Sequence, residues 1–304
     1  MRERPWQAVI DIGSNSVLLL VARPQGDDPG LGPLEVAEDR CIITRLSEGV
    51  SQSGALRPAA IERTLDALRI YREVAADHGA AIRAVATEGV RLARNQGDFL
   101  GPAAALLGAP VRILSGDEEA RLSYLSVALE TPGGGPLRVV DIGGASTELV
   151  VGDGLEIADA VSHPVGSVKL SERFVDADPP TPAALEAMAA HLREVLAAQP
   201  LPPRRRLHGL AGTVTTAAAL LLDLASYDRE RVDGSEHSRG AIARLRARLA
   251  GLPAEARVGP VLPPGRADVI VAGLTILLGV MDHCGADTLV VRDRGHRYAL
   301  IDRS

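Results

Sequence analysis

The chain has 304 residues, is 46% hydrophobic and carries a formal net charge of −6. This length suits about two domains of roughly 100–200 residues each, and the apolar content excludes a disordered chain. The acidic balance argues against sequence-independent binding of nucleic acid, which needs a basic face. Cationic side chains focused in one place can still bind a polyanion.

The cysteines and the hydropathy of the chain indicate in which cellular compartment the protein is found. Cys41 and Cys284 have no partner at metal-ligand spacing and form no disulfide framework, which favours a reducing compartment, the cytoplasm. The N-terminus runs directly into a strand that contains an Asp, which is not typical of a signal peptide. The longest apolar run, Val269 to Met281, is too short to span a bilayer. We therefore expect no membrane partner.

The first predicted element is a β-hairpin over residues 9–21, VIDIGSNSVLLLV, and the pattern returns over residues 139–151 as VVDIGGASTELVV. Each copy has an apolar strand, an Asp, a turn of small residues and a second apolar strand, which is a hairpin signature. Two copies half a chain apart predict two lobes of like topology, with hairpins that could face each other across a cleft.

The rest of the chain alternates in the α/β manner. The segment TPGGGP at residues 131–136 indicates a linker, and we divide the chain into domains 1–124 and 125–304, with the last residues able to pack back on the first domain. Ser115 and Glu118 match the capping box of a helix. We predict helices over 58–78, 89–94, 115–129, 182–198, 241–252 and 266–281, and strands over 82–86, 111–114, 207–210 and 288–291.

The two hairpin turns are candidate phosphate sites, because small residues let backbone N–H groups approach phosphate oxygens. An Asp at the strand end, Asp11 or Asp141, suits Mg²⁺, which uses few carboxylates together with substrate phosphates. Ordinary hairpin turns also favour Asp, Gly, Ser and Asn, but the duplication favours phosphate binding. The turns consist of Gly13, Ser14, Asn15 and Ser16 in the first copy and Gly143, Gly144, Ala145 and Ser146 in the second.

Two glutamates are candidates for catalysis. Glu148 lies on the second hairpin, within reach of the Asp141 turn, where the first hairpin has Leu18; it could complete a metal site or be an exposed strand residue. Glu118 has a structural role in the capping box, whereas Glu119 is left without one and could act as a general base on water.

Further anion-binding candidates lie outside the hairpins. The segment GLAGTVTT at residues 209–216 includes Gly212 and Thr213 and is either a phosphate-binding helix start or a plain one. Arg91, Lys169 and Arg266 are candidate cations, although each alone is more often a solvated surface residue.

Together, these motifs resemble the exopolyphosphatase / guanosine pentaphosphate phosphohydrolase family of the actin-like ATPase superfamily. The resemblance implies an α/β fold of two ribonuclease-H-like (actin-like ATPase) lobes with a central cleft. The matching segments, in family order, are VIDIGSNSV (9–17), VATEGVRLARN (85–95), SGDEEARL (115–122), VVDIGGASTELV (139–150), VGSVKLSERF (165–174), LAGTVTTAAAL (210–220) and RADVIVAG (266–273).

The resemblance also implies roles. Glu119 would be the catalytic base and Glu148 the second essential carboxylate, which with Asp141 would hold Mg²⁺, or Mn²⁺ as an alternative. Arg91 and Arg266 match arginines that contact phosphate or lie near the cleft. A homodimer is expected from the resemblance only.

The chain departs from the family pattern at several positions. Ala145 and Ala211 stand where the family usually has Gly, and we expect Ala145 to fit if its φ is negative. Leu18 replaces an Arg or His that reaches towards phosphate, and residues 296–299 replace Leu-Arg-Glu-Gly. The extra helical domain of longer relatives is not expected, which argues against high processivity.

The leading hypothesis is a Mg²⁺-dependent exopolyphosphatase that releases terminal orthophosphate from inorganic polyphosphate. The alternatives are hydrolysis of guanosine pentaphosphate, a catalytically weak protein that binds guanosine tetraphosphate or polyphosphate, and a sugar kinase of the same superfamily. Glu148 argues against the kinase, and the intact Glu119, Asp141 and Glu148 argue against the binding protein.

Overall fold

The computed structural model describes residues 4–25, 33–131 and 134–303, which form two compact units. The first unit contains the described residues up to Glu118 together with those from His296 onward, and the second runs from Glu119 to Gly295. The predicted linker at residues 131–136 lies partly outside the described residues, at 132–133, and Pro136 already begins a strand. No helix in the described ranges is long and apolar enough to cross a membrane.

The first unit is built on a five-stranded mixed sheet in the order β3-β2-β1-β4-β5. The β1–β2 and β2–β3 pairs are antiparallel, and the β1–β4 and β4–β5 pairs are parallel. Its elements in chain order are β1 (Gln7–Ile12), β2 (Ser16–Pro24), β3 (Leu34–Ile43), α1 (Val50–Ser53), α2 (Pro58–Asp77), β4 (Ala81–Ala86), α3 (Glu88–Arg91), α4 (Gly97–Leu107) and β5 (Val111–Ile113).

The second unit repeats this topology. Helix α5 (Gly116–Ala128) leads into it, and its sheet has the order β10-β11-β9-β6-β7-β8, with the same antiparallel and parallel pairs from β8 to β11. Its further elements are β6 (Pro136–Ile142), β7 (Thr147–Asp153), β8 (Glu156–His163), α6 (Ser167–Phe174), α7 (Pro182–Leu196), β9 (Arg206–Leu210), α8 (Ala211–Leu221), α9 (Arg229–Val232), β10 (Glu236–Ser238), α10 (Arg239–Ala250), α11 (Ala254–Arg257), α12 (Pro264–Ala267), α13 (Ile270–Cys284) and β11 (Thr288–Val291).

The predicted two-lobe α/β architecture is confirmed, because both hairpins and the repeated strand order are present. Apolar helix faces also lie where the periodicity places them: Leu68, Tyr71 and Ala75 of α2 are buried. The predicted capping box is present, with Ser115 N–H donating to Glu118 Oε2 at 2.9 Å and Glu118 N–H donating to Ser115 Oγ at 3.2 Å.

Some predicted boundaries were wrong. The helix predicted over residues 266–281 is two helices, α12 and α13, interrupted at Asp268 and Val269. A run of apolar residues does not show where the backbone leaves helical geometry. The helix predicted over 89–94 ends at Arg91. Strands β3 and β8 were not predicted, since both carry several exposed or charged residues that hide strand periodicity.

The last residues of the chain form α14 (His296–Ala299) and pack in the first unit. Arg297 Nη2 donates to both carboxylate oxygens of Asp39 on β3, at 2.9 and 3.1 Å, and Tyr298 Oη donates to Asp39 Oδ2 at 2.5 Å. The backbone N–H of Asp302 donates to Gln7 Oε1 at 2.8 Å. These contacts connect the C-terminal segment to both β1 and β3.

Ala211 and Ala145 differ in backbone conformation, although the resemblance described above leads us to expect glycine at both positions. Ala211, the first residue of α8, has φ of +71°, in the left-handed region where a Cβ costs about 1–2 kcal/mol. Ala145 is not among the non-glycine residues of positive φ in the described ranges. The negative φ that the sequence analysis required for an alanine at this position is therefore present.

This difference predicts opposite effects of Ala→Gly replacement. We expect Ala211→Gly to raise the free energy of unfolding by about 0.5–1 kcal/mol, because the relieved strain exceeds the added entropy of the unfolded chain. The matched control Ala145→Gly should lower it, because no strain is relieved there. Urea unfolding measures both, and a lowered midpoint for Ala211→Gly would contradict the prediction.

Candidate active site

The turns of the two hairpins have the same local structure. Gly13 N–H donates to Ser16 O at 2.9 Å, and Gly143 N–H donates to Ser146 O at 3.0 Å. The strand register is also equivalent: Asp11 pairs with Leu18 in the first hairpin, and Asp141 pairs with Glu148 in the second. The sequence repeat is therefore a structural repeat, and the second copy alone has two carboxylates side by side.

A helix N-terminus orients the second turn. The backbone N–H groups of Ser167, Val168 and Lys169 at the start of α6 donate to the carbonyl oxygens of Gly143 and Gly144, at 2.9 to 3.1 Å. In a trans peptide the C=O and N–H groups point in opposite directions. The amides that follow these carbonyls, those of Gly144 and Ala145, therefore point away from α6, as an anion-binding turn requires.

The first turn is supported in the same way by a loop instead of a helix. Ser47 N–H donates to Ser14 O at 3.0 Å, and the N–H groups of Thr44 and Arg45 donate to Asn15 O at 3.1 and 2.9 Å. The amides of Asn15 and Ser16 consequently point away from this loop. Residues 44–47 were not predicted from the sequence, because backbone hydrogen bonds leave no side-chain signature.

Close packing behind the second turn makes Gly166 a sensitive position. A Cβ there would lie 2.4 Å from both Ala145 N and Gly144 C, and backbone atoms of a constrained turn cannot give way without moving. We expect Gly166→Ala to lower kcat/KM at least ten-fold and to destabilise the protein by about 1–3 kcal/mol. The matched control is Gly259→Ala, where a Cβ meets nothing within 4 Å.

Steady-state turnover and urea unfolding of both variants test this prediction. Equal activity of Gly166→Ala and Gly259→Ala would show that the turn has no role in turnover.

Three buried carboxylates converge beside the second turn. Glu119 is 3% exposed, Asp141 is 5% exposed and Glu148 is 2% exposed. Burial first, and then the negative charges of Asp141 and Glu119, raise the pKa of Glu148 to about 8. This site therefore holds more negative charge than its protein neighbours neutralise.

Hydroxyl groups fix two of these carboxylates. Ser123 Oγ donates to Asp141 Oδ2 at 2.6 Å, and Ser162 Oγ donates to Glu148 Oε1 at 2.7 Å. Neither serine was predicted from the sequence. Ser123 follows Glu119 by one helical turn of α5, so the i, i+4 spacing could have revealed it. Ser162 lies on the unpredicted strand β8, opposite Glu148, and no sequence signal indicated it.

In the structure, an arginine side chain lies beside the predicted anion site at the start of α8. The guanidinium of Arg266 lies against Gly212, where a Cβ would be 3.0 Å from Nη2, and Nη1 donates to Thr216 Oγ1 at 2.9 Å. Thr213 is 7% exposed. The structure thus brings Gly212 and Arg266 together at the positive end of a helix dipole, whereas the Thr213 side chain packs against Gly273 of α13.

The remaining predicted residues lie in the first unit. Arg91, at the end of α3, donates from Nη1 to Leu114 O. Asp11 is 7% exposed, its Oδ2 lies 3.7 Å from His296 Nδ1, and its buried Oδ1 has no hydrogen-bond partner among the described residues. Ser14 is buried, and its Oγ and that of Ser47 both occupy the space that a side chain at Gly89 would need.

Comparisons with known proteins place the chain in a family. Residues 28–304 match the sequence model of the Ppx/GppA phosphatase family. The chain is 34% identical to exopolyphosphatase 2 of Mycobacterium tuberculosis over 302 residues, which cover 94% of each chain.

Solved structures show the same similarity. The Aquifex aeolicus Ppx-GppA enzyme is 34% identical, with a TM-score of 0.81 over 97% of this chain and 98% of that one. An exopolyphosphatase of Cytophaga hutchinsonii, 22% identical, shares the fold with a TM-score of 0.86 over 97% of this chain and 96% of its own.

Proposed function

Because the chain belongs to the Ppx/GppA phosphatase family, whose members are phosphohydrolases, we propose that it is a Mg²⁺-dependent exopolyphosphatase. Its reaction is the hydrolytic release of terminal orthophosphate from inorganic polyphosphate. One observation carries the proposal: the cluster of Glu119, Asp141 and Glu148 lies beside a turn whose amides are oriented for an anion. The name of the M. tuberculosis relative supports the choice of substrate.

The carboxylate cluster fits a hard divalent cation. Its donors are oxygens, and the raised pKa of Glu148 shows that its charge lacks compensation. Within residues 4–25, 33–131 and 134–303, no three His, Cys, Asp or Glu side chains are placed to hold one metal ion together, but Mg²⁺ commonly uses one or two carboxylates, waters and substrate phosphates. We assign Mg²⁺, with Mn²⁺ as the alternative, to Asp141 and Glu148, where it would neutralise charge on phosphate oxygens. Asp11 has one buried oxygen available for a cation in the first unit.

In the proposed mechanism, Glu119 is the general base. Its carboxylate accepts a proton from a water molecule as the water oxygen attacks the terminal phosphorus in line, and the bridging oxygen leaves with the bond electrons. The backbone amides of Gly144 and Ala145 donate hydrogen bonds to the phosphate oxygens as negative charge develops there. Ser123 keeps Asp141 in place, and Ser162 does the same for Glu148.

Further phosphate contacts are assigned to the residues predicted from the sequence. These are Gly13, Ser14, Asn15, Ser16 and Arg91 in the first unit, and Gly143, Ser146, Gly212, Thr213 and Arg266 in the second.

Guanosine pentaphosphate is the alternative substrate, because it also carries a terminal phosphate that water can attack. The proposed location of the protein is the cytoplasm.

The test is orthophosphate release by the purified protein from short polyphosphate, long polyphosphate and guanosine pentaphosphate, with and without Mg²⁺. Release from polyphosphate that requires the metal is the expected result. Release from guanosine pentaphosphate alone would assign the alternative activity. A folded protein that releases phosphate from none of the three would overturn the proposal in favour of a binding protein.

A further inference from the structure

One buried glutamine in the second unit connects four elements of the fold. Gln199 is 3% exposed and follows α7, where its backbone N–H donates to Leu196 O at 3.0 Å. Its backbone oxygen accepts a hydrogen bond from His283 Nε2 of α13 at 2.7 Å. Its side chain reaches β7 and β8, the strands that carry Glu148 and Ser162. Two helices therefore hold the backbone of Gln199 while its side chain contacts two strands.

The side-chain amide of Gln199 has a single orientation that satisfies its neighbours. Nε2 donates to Asp159 Oδ2 at 2.7 Å and to Leu149 O at 3.2 Å, and a carboxylate and a carbonyl oxygen only accept hydrogen bonds. Oε1 therefore faces His163 Nε2, which is 3.0 Å away and carries the ring proton. Burial lowers the pKa of His163, which favours the neutral ring. Both hydrogens of the amide and its oxygen are thus engaged.

These hydrogen bonds lie on both sides of a pair of residues in the carboxylate cluster. Ser162 pairs with Glu148 in the register of β7 and β8, and its Oγ donates to Glu148 Oε1 at 2.7 Å. On β8, Gln199 bonds Asp159, three residues before Ser162, and His163, the residue after it. On β7 it bonds the residue that follows Glu148. One side chain thus links the two strands around this pair.

The register of β8 depends on such a link. β8 is the outermost strand of its sheet and pairs with β7. A bulge lies next to Asp159, because the register shifts between Val151 and Gly152 of β7. A strand with an extra residue can move the bulge along its length, and a shift by one residue would turn Ser162 to the other face of the sheet. The hydrogen bond that Asp159 accepts from Gln199, directly beside the bulge, opposes this shift.

We propose that Gln199 is a positioning residue, which fixes the register of β7 and β8 and thereby keeps the Ser162 hydroxyl on the Glu148 carboxylate. The inference rests on the proposed function, in which Glu148 is a ligand of Mg²⁺. Gln199 acts on Glu148 through Ser162. Its replacement should therefore loosen the metal ligand without removing a group from the carboxylate cluster.

The experiment compares Gln199→Leu with Ser162→Ala and with the double variant. Leucine has a similar volume but forms none of the side-chain hydrogen bonds. We expect Gln199→Leu to raise the Mg²⁺ concentration for half-maximal phosphate release about three- to ten-fold, with the KM for polyphosphate unchanged. Ser162→Ala should raise it roughly 10- to 100-fold, as is typical when a partner of a metal ligand is lost. The double variant should match Ser162→Ala, because one residue acts through the other.

Gln7→Leu is the matched control. Gln7 also loses two side-chain hydrogen bonds, both to the backbone of Asp302 in the first unit, and its Mg²⁺ dependence should equal that of the wild type. Independent, additive effects of Gln199→Leu and Ser162→Ala would overturn the inference. A higher KM for Gln199→Leu with unchanged Mg²⁺ dependence would also overturn it.

Amide hydrogen exchange of the metal-free protein separates this inference from the proposed function. In Gln199→Leu, the amides of residues 159–163 should exchange about ten-fold faster than in the wild type, because their strand opens locally. Unchanged exchange would overturn the inference, whether or not the protein hydrolyses polyphosphate. If the wild type releases no phosphate, the proposed function alone fails, and exchange still decides the inference.

A second variant covers the case in which Gln199→Leu does not fold. Asp159→Ala removes one contact of the Gln199 amide at an exposed residue. It should accelerate exchange over the same residues and raise the required Mg²⁺ concentration by a smaller factor. No change in exchange for Asp159→Ala would then overturn the inference.

Discussion

Glu119→Gln lowers the rate of phosphate release by about 10²- to 10⁴-fold, the usual contribution of a general base, while the protein stays folded. Glutamine has nearly the same shape as glutamate but cannot accept the proton of the attacking water at neutral pH. Glu119 is 3% exposed, on the face of α5 that carries Ser123 one turn later. Steady-state kinetics and thermal unfolding of the variant measure the two parts of this prediction.

The neighbouring glutamate provides a matched control. The Glu118 side chain is 44% exposed and serves in the capping box of α5, a role that glutamine can also fill. Glu118→Gln should therefore keep its activity. Near-wild-type turnover in Glu119→Gln, or an equal loss in Glu118→Gln, would remove Glu119 from the role of base.

The second large effect concerns Glu148 and pH. In the folded, metal-free protein, burial and the charges of Asp141 and Glu119 raise the pKa of Glu148 from its ordinary value of 4.5 to about 8. The folded state therefore binds more protons than the unfolded state between these values, and stability falls as pH rises through this window. Glu148→Gln cannot ionise, so we expect the variant to match the wild type near pH 5 and to exceed it, by a few kcal/mol at most, above pH 8.

Urea unfolding in a metal chelator at both pH values measures this difference. Addition of Mg²⁺ should restore the stability of the wild type at alkaline pH, because the cation compensates the carboxylates, and should have a smaller effect on Glu148→Gln. We also expect the variant to lose at least a hundred-fold in turnover, since a proposed metal ligand is removed.

Glu156→Gln is the control for this experiment, because Glu156 is exposed at the start of β8. Its unfolding should depend on pH as the wild type does. Parallel pH curves for wild type and Glu148→Gln would show that Glu148 is not the group responsible.

Local patterns in the sequence were sufficient to predict the duplicated hairpin and the structural role of Glu118. The hairpins were predictable because strand alternation and turn residues are short-range properties, and the repeat itself predicted two units of like topology. The capping-box spacing assigned Glu118 to structure, and the structure confirmed that pairing. The same repeat showed that Glu148 lies opposite Asp141, where the first copy has Leu18.

Only the tertiary structure decided how these parts are supported. The amides of α6 that orient the second turn, and those of residues 44–47 behind the first, act through backbone hydrogen bonds, which no residue type encodes. Ser162 reaches Glu148 through a strand that periodicity did not reveal. Glu48 meets Arg57 and Arg63 because α2 folds back beside residues 44–48, so these charges, separated along the chain, come together only in the folded unit.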